Sequence, residues 1–311
     1  MKAPVSAKAD QPFAAVTFGY NSCDFLCLLD AYPEPDGKSP MRAFLRQGGG
    51  QAATAAVALA RLGFRVRYLG KFGDTPEGDF ARASLESEGV EVAACRRAPG
   101  TQNQVAVIWA DPRRATRAIS FLREPGLQIE PGEIAVDAVR QGGALLLDGH
   151  DPAASLEMAQ AARAAGIPVL IDIGKNQPGI PELLDSVDYL LCDSHFPAAY
   201  TGETDEETAL RRLRDRHRAP LVAMTLGARG SLALIDDVVV RTPAFPVRVV
   251  DTTGAGDAWH GGFVAGLLWN RPVEEILRLS AAVAALNCRA LGGRSALPTR
   301  AELEKFLAES E

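Results

Sequence analysis

The sequence predicts an α/β protein: a mostly parallel sheet flanked by helices, with a second, smaller β-sheet beside it. Three observations lead there. From about residue 143 onward, short apolar runs alternate with helical stretches, the pattern of a parallel sheet covered on both faces. The N-terminal third is dense in strand-like runs separated by proline-rich or charged turns, YPEPDGKSP (32–40) and DPRRAT (111–116), with little room for helices. Two glycine clusters, at 48–50 and 254–256, each lead into a small-residue helix.

Taken in order, MKAPVSAKADQP lacks the apolar core of a secretory signal and reads as a frayed tail over residues 1–12, leaving one domain over 13–311. Residues 14–20, 25–30, 41–46, 104–110 and 117–122 read as strands, grouped as a small antiparallel sheet inserted into the larger domain, with discontinuous limits of about 25–48 and 104–123. One face of such a sheet must cover the site, a second subunit, or both. GALLLDG (143–149), IPVLIDIG (167–174), VDYLLCD (187–193) and PLVAMTLG (220–227) read as buried strands, with a helix over 152–166. In open α/β sheets ligands gather at the carboxyl ends of strands, which nominates 148–150, 172–175, 193 and 225–227. FPVRVV (245–250) reads as strand-like, and a helix follows from Asp257 to about Asn270.

The bulk numbers narrow the class. With 311 residues, 47% of them hydrophobic, the chain can bury a large core, and a net charge of -6 argues against a nucleic-acid partner. No apolar run reaches membrane length, and five scattered cysteines read as reduced thiols of a cytoplasmic protein. The basic run RRLRDRHR (211–218) reads as a solvated helix face, and the three tryptophans as packing. His195, His217 and His260 read as structural or surface residues, whereas His150 follows a strand end and is a candidate for lining a site.

Each glycine cluster has a functional and a plain structural reading. At the first, glycines let a ligand approach the backbone, while Gln51 and Thr54 face the turn and can hydrogen-bond a polyhydroxylated ligand; alternatively the alanine-rich helix only packs closely. In DTTGAGD (251–257), Gly254, Ala255 and Gly256 can turn their N–H groups into one concavity at the positive end of a helix. Asp257 then either complements the helix dipole or deprotonates a hydroxyl that attacks phosphorus.

These residues resemble the ribokinase-like, or PfkB, family of carbohydrate kinases. DTTGAGD matches the C-terminal signature, and GGQAATAAVALARLG (49–63) resembles the N-terminal one; GKFGDTPEGDF (70–80), TLGARG (225–230) and LGGRSALPT (291–299) follow in the family's order. The resemblance implies a Rossmann-like ribokinase fold with a β-sheet lid, ATP and Mg²⁺, possible K⁺, a sugar substrate, and a homodimer joined through the lid. It implies Asp257 as the catalytic base, with Gly254, Ala255 and Gly256 as the anion hole. Asp24, Gly49, Gly50, Gln51 and Thr54 would bind the sugar, with Arg117 reaching substrate or phosphate. Thr225, Gly227 and Gly230 would face the nucleotide, together with Asp193, Lys175 and Asn287. Asp251, Thr253, Asn287, Ala290 and Gly292 would hold a monovalent cation.

Three positions depart from the family. Thr54 stands where an Asn is usual, the NxxE motif is replaced by Asp193-Ser-His-Phe196, and Lys175 sits at a strand end. Residues 19–38 most resemble the ketohexokinase group, which also lacks NxxE.

Overall fold

The computed structural model describes residue 8 and residues 10–310. The expected frayed tail thus falls mostly outside the described residues; within them, the Lys8 amide donates to the Gly143 carbonyl at 2.9 Å.

Strands β1 (Ala15–Phe18), β2 (Ser22–Leu29) and β3 (Met41–Gly49) precede helix α1 (Gln51–Arg61). Next come β4 (Val66–Leu69), β5 (Lys71–Gly73), α2 (Pro76–Glu86), β6 (Arg96–Ala98), β7 (Val105–Asp111) and β8 (Thr116–Leu122). The chain then runs α3 (Asp137–Arg140), β9 (Leu145–Leu147), α4 (Pro152–Ala164), β10 (Val169–Ile173), α5 (Ile180–Leu184), β11 (Tyr189–Asp193), α6 (Phe196–Thr201), α7 (Glu206–His217) and β12 (Leu221–Thr225). It closes with β13 (Ser231–Ile235), β14 (Val238–Thr242), α8 (Ala255–Leu268), α9 (Val273–Asn287) and α10 (Arg300–Ala308).

The main sheet has eight strands in the order β14-β13-β12-β11-β10-β9-β1-β4. All pairs from β4 to β12 are parallel, and β13 and β14 add antiparallel at one edge. Its central strands are buried on both faces, which is why they read as unbroken apolar runs. One core layer holds α1, α8 and α9; the opposite layer holds α4, α5 and α7. The small residues of α8 let it sit close to α1: a Cβ on Gly261 would lie 2.7 Å from the Ala58 Cβ. The chain runs from β1 to β4 on one side and returns to β9 on the other, so a crevice opens at the carboxyl ends of β1 and β9.

The second sheet has the order β3-β2-β7-β8. Its composition differs from the sequence reading in two ways. The strand at the N-terminus, β1, belongs to the main sheet, and the central pair β2–β7 is parallel. Antiparallel pairing suits a short hairpin, whereas β2 and β7 are separated by α1, β4 and α2, so the chain re-enters the sheet in the same direction. Residues 245–250 are not a strand; the run follows the edge strand β14, and Phe245 packs on Phe306 of α10 with centroids 5.2 Å apart.

Candidate active site

A cleft of about 580 Å³ lies between the two sheets. Its floor is the set of strand ends nominated above: Asp148 to His150 after β9, Asp172 to Lys175 at β10, Asp193 of β11 and Thr225 of β12. Its roof is one face of the small sheet. Cross-strand register puts Asp24 opposite Ala106, Ala106 opposite Phe121, and Ile108 between Leu26 and Ile119, so alternate residues of each strand turn to the cleft. The third wall is formed by two helix N-termini, the Gly49–Thr54 turn of α1 and the Thr253–His260 segment of α8. Both helix dipoles thus present their positive ends to one space.

On the α1 side, the carboxylate of Asp24 accepts from the Ser22 hydroxyl at 2.6 Å. A Cβ at Gly49 would stand 1.9 Å from Asp24 Oδ2, so only glycine allows this approach. Burial raises the pKa of Asp24, offset by the Ser22 bond and the charge of Arg294. Gln51 Oε1 lies 3.0 Å from Nε2 of His150, and the His150 ring rests on Tyr20 with centroids 4.1 Å apart. Asp148 is buried and accepts from the amides of Tyr20 (2.8 Å) and His150 (3.1 Å); burial pushes its pKa up to about 7 despite these bonds. At the same end, Arg123 pairs with Asp151 at 3.0 Å.

On the α8 side, Gly254 has φ 69° and leads into the helix. A Cβ there would come within 2.6 Å of the Gly293 Cα. The Ala255 amide bonds to the Thr252 carbonyl at 3.2 Å, whereas the amides of Gly256 and Asp257 donate to no backbone carbonyl. Ala255 spends its amide in this turn and does not line the cleft, whereas Gly254, Gly256 and Asp257 line it and, among the described residues, the Gly254 amide likewise donates to no backbone carbonyl. Arg117 reaches across from the small sheet to the Thr252 hydroxyl at 3.0 Å.

Asp257 opens onto the cleft but is otherwise walled in. Burial and the neighbouring charge of Asp172 push its pKa up to about 7, opposed by His260, Arg117 and Arg294. His260 is not a surface residue: it is 2% exposed, one turn after Asp257, with Nδ1 3.1 Å from Asp172 Oδ2. The pair is within ion-pair distance but not aligned as a hydrogen bond. Burial alone would lower the His260 pKa; Asp172 and Asp257 outweigh it and raise it.

Of the residues expected to face nucleotide, Thr225, Asp193 and Lys175 line the cleft. Gly227 and Gly230 do not; they form the turn after β12. Asp193 Oδ1 accepts from the amides of His195 (2.8 Å) and Phe196 (2.9 Å). Phe196, where the family has Glu, is 1% exposed and stacks on Tyr200, so it belongs to the core and brings no group to the cleft. Asp251, Asn287, Ala290 and Gly292 lie behind the wall, where only Thr253 of the expected cation loop reaches the cleft. Asp251 accepts from Thr253 N (2.9 Å) and Gly292 N (2.9 Å), and Asn287 Nδ2 donates to the Thr253 carbonyl at 3.0 Å. Asn287 Oδ1 is buried with no partner.

Sequence reading missed Arg294, Arg123, Tyr20, and the partnership of Asp172 with His260. A charged residue directly after a glycine pair, and a histidine one turn past a nominated base, were the available signals.

Comparison with known proteins identifies the family. Residues 15–300 match the model of the pfkB family of carbohydrate kinases. The ATP-dependent ribose-1-phosphate kinase of Halopiger xanaduensis is 31% identical over 295 residues, covering 94% of this chain and 97% of that one. Ribokinase of Haemophilus influenzae is 29% identical, covering 83% and 87%. The structure of Arabidopsis thaliana ribokinase complexed with ribose and ATP superimposes with a TM-score of 0.82 at 25% identity, covering 95% and 98%. The chain belongs to the pfkB family and is an ATP-dependent carbohydrate kinase with a ribokinase-like fold.

Proposed function

We propose that the protein transfers the γ-phosphoryl group of ATP to a primary hydroxyl of a furanose or ketose sugar. The observation that carries this is the placement of Asp257 between the polar turn around Asp24 and the free amides at the start of α8. Asp24, Gln51 and the Gly49–Gly50 backbone hold the sugar hydroxyls. Asp257, with a pKa near neutrality, takes the proton of the attacking hydroxyl. The amides of Gly256 and Asp257, with Arg117, face the charge on the transferring group. Thr225, Lys175 and Asp193 line the nucleotide end.

Among the described residues no cluster of three or more His, Cys, Asp or Glu side chains is arranged to hold a metal. Mg²⁺ therefore fits as an ion carried on the ATP phosphates with Asp193 beside it, supplying positive charge to the phosphates. The unpartnered Asn287 Oδ1 beside the Asp251 clip suits a monovalent cation, which would stiffen the loop that carries Asp257. Ile119 and Phe121, 47% and 67% exposed over the cleft, support the small sheet acting as a lid that excludes water. Phe44, Val107 and Leu122 are exposed on its other face, which supports a homodimer through the lid. The composition supports a cytoplasmic protein.

A second reading, a sugar already carrying a phosphate, is favoured by Arg123 on the cleft wall and by the ribose-1-phosphate kinase relative. ADP release measured over a panel of pentoses, ketohexoses, their phosphates and nucleosides tests both. Turnover with one sugar class, and its loss in Asp257→Asn with binding retained, is expected. Sugar binding without ADP release for any acceptor would overturn the kinase mechanism and leave a sensor.

A further inference from the structure

Arg294 is 3% exposed, and each of its three guanidinium nitrogens donates a hydrogen bond. Nε donates to Thr54 Oγ1 at 3.2 Å, one terminal nitrogen to the Gly49 carbonyl at 2.9 Å, and the other to the Ser84 hydroxyl at 3.2 Å. Its own amide donates to Gln47 Oε1 at 3.0 Å. No carboxylate among the described residues bonds to it directly, and Asp24, Asp257 and Glu88 act on its charge only from a distance. A buried guanidinium held only by neutral acceptors is costly, so its position calls for a reason beyond packing.

Its neighbours supply one. Gly293, directly before it, lines the cleft and presses against Gly254 at the start of the phosphoryl loop. The side chain then reaches back to Gly49 and Thr54, the acceptor turn. One residue thus joins the two halves of the reaction site through contacts 240 and 245 positions apart in sequence. Thr54 is itself on the cleft wall and 2% exposed. With Nε bonded to its oxygen, the hydroxyl hydrogen must point away from the guanidinium, leaving Thr54 to act toward the cleft as a donor.

On the kinase reading above, we propose that Arg294 is a positioning residue: it fixes the acceptor turn to the phosphoryl-transfer loop and sets Thr54 as a hydrogen-bond donor to the sugar. Its charge also faces Asp24 and Asp257, favouring their ionised forms.

The test is steady-state kinetics of Arg294→Ala, Arg294→Lys and Thr54→Val with the best acceptor. Loss of a charge-assisted bond network predicts a rise in acceptor KM of roughly 10- to 100-fold in Arg294→Ala, with KM for ATP changed less than about threefold. Arg294→Lys keeps the charge but not the fork and recovers only part. A surface cavity of about 420 Å³ lined by Arg46, Gln47, Ser84, Ser87, Glu88 and Arg294 gives access from outside, so millimolar ethylguanidinium is expected to restore acceptor affinity to Arg294→Ala. Thr54→Val, a near-isosteric change that keeps the fold, is expected to raise acceptor KM alone and to be non-additive with Arg294→Lys. Unchanged acceptor KM in Thr54→Val, or equal losses for ATP and acceptor in Arg294→Ala without ethylguanidinium rescue, would overturn the proposal. Absence of turnover by the wild-type protein with every acceptor would instead strike the kinase reading.

Discussion

Asp257 is expected to cost the protein stability for the same reason that suits it to the proposed role of base. Its carboxyl is moved from 3.8 to about 7 by burial and by Asp172. Below 3.8 folded and unfolded chains are both protonated there and the residue costs nothing. Between those values the unfolded chain ionises while the folded one keeps its proton, so the folded state loses about 1.4 kcal/mol per pH step. Past the upper value the loss levels off at about 4 kcal/mol as a ceiling. Water in the open cleft screens part of this, and removing Asp257 also removes one carboxylate that holds the His260 proton, so a gain of about 2 kcal/mol is the working figure.

Asp257→Asn should therefore melt higher than wild type at alkaline pH. With an unfolding entropy of about 0.65 kcal/mol/K for a chain of this size, the gain is about 3 °C at pH 8 and shrinks toward zero near pH 4. Scanning fluorimetry of both proteins across that range measures it, other titrations cancelling in the difference. A Tm difference of constant size between pH 5 and 8, or a mutant less stable than wild type at pH 8, would refute the assignment of a raised carboxyl to this position. The same mutant should lose most of kcat, which would place the residue among those where function is held at the expense of stability.

Two further substitutions probe the same loop. His260→Gln removes a positive charge that favours ionised Asp257; the acid limb of the kcat/KM profile should move to higher pH, by about one unit, and a profile that stays put would separate His260 from the base. Gly254→Ala forces a Cβ to within 2.6 Å of Gly293 at a φ of 69°; it should lower kcat by at least about tenfold while leaving sugar binding, read by calorimetry, near wild type.

The main sheet was legible because each of its central strands is buried on both faces and so writes its burial into a continuous apolar run. The loop that brings Asp257 to the cleft was legible because glycine, helix start and carboxylate all fall within seven adjacent residues, 251–257. Strand direction in the small sheet was not legible: β2 and β7 carry the same alternation whether they pair parallel or antiparallel, and only the path of the intervening chain decides. The Thr54 and Phe196 departures were visible, but their meaning was not. Phe196 turned out to be core, and Thr54 is held by an arginine 240 residues away.

That distribution bears on where the acceptor's identity resides. Arg117 bonds to Thr252, beside the turn into α8, so on the proposed function it would read the transferred group more directly than the sugar. Phe196 faces away from the cleft. On the proposed function, the polar groups left for the acceptor are Gln51, His150, Tyr20 and Arg123, which line the cleft, with Asp151 behind Arg123. They come from four separate segments that meet only at the crevice between β1 and β9. A pocket assembled in this way can be retuned one segment at a time without disturbing the DTTGAGD loop, because the only covalently local element is the loop itself. Discrimination among sugars should accordingly follow long-range pairs such as Gln51–His150, which is open to solvent, and above all Thr54–Arg294, in which losing one member leaves a buried polar partner unsatisfied.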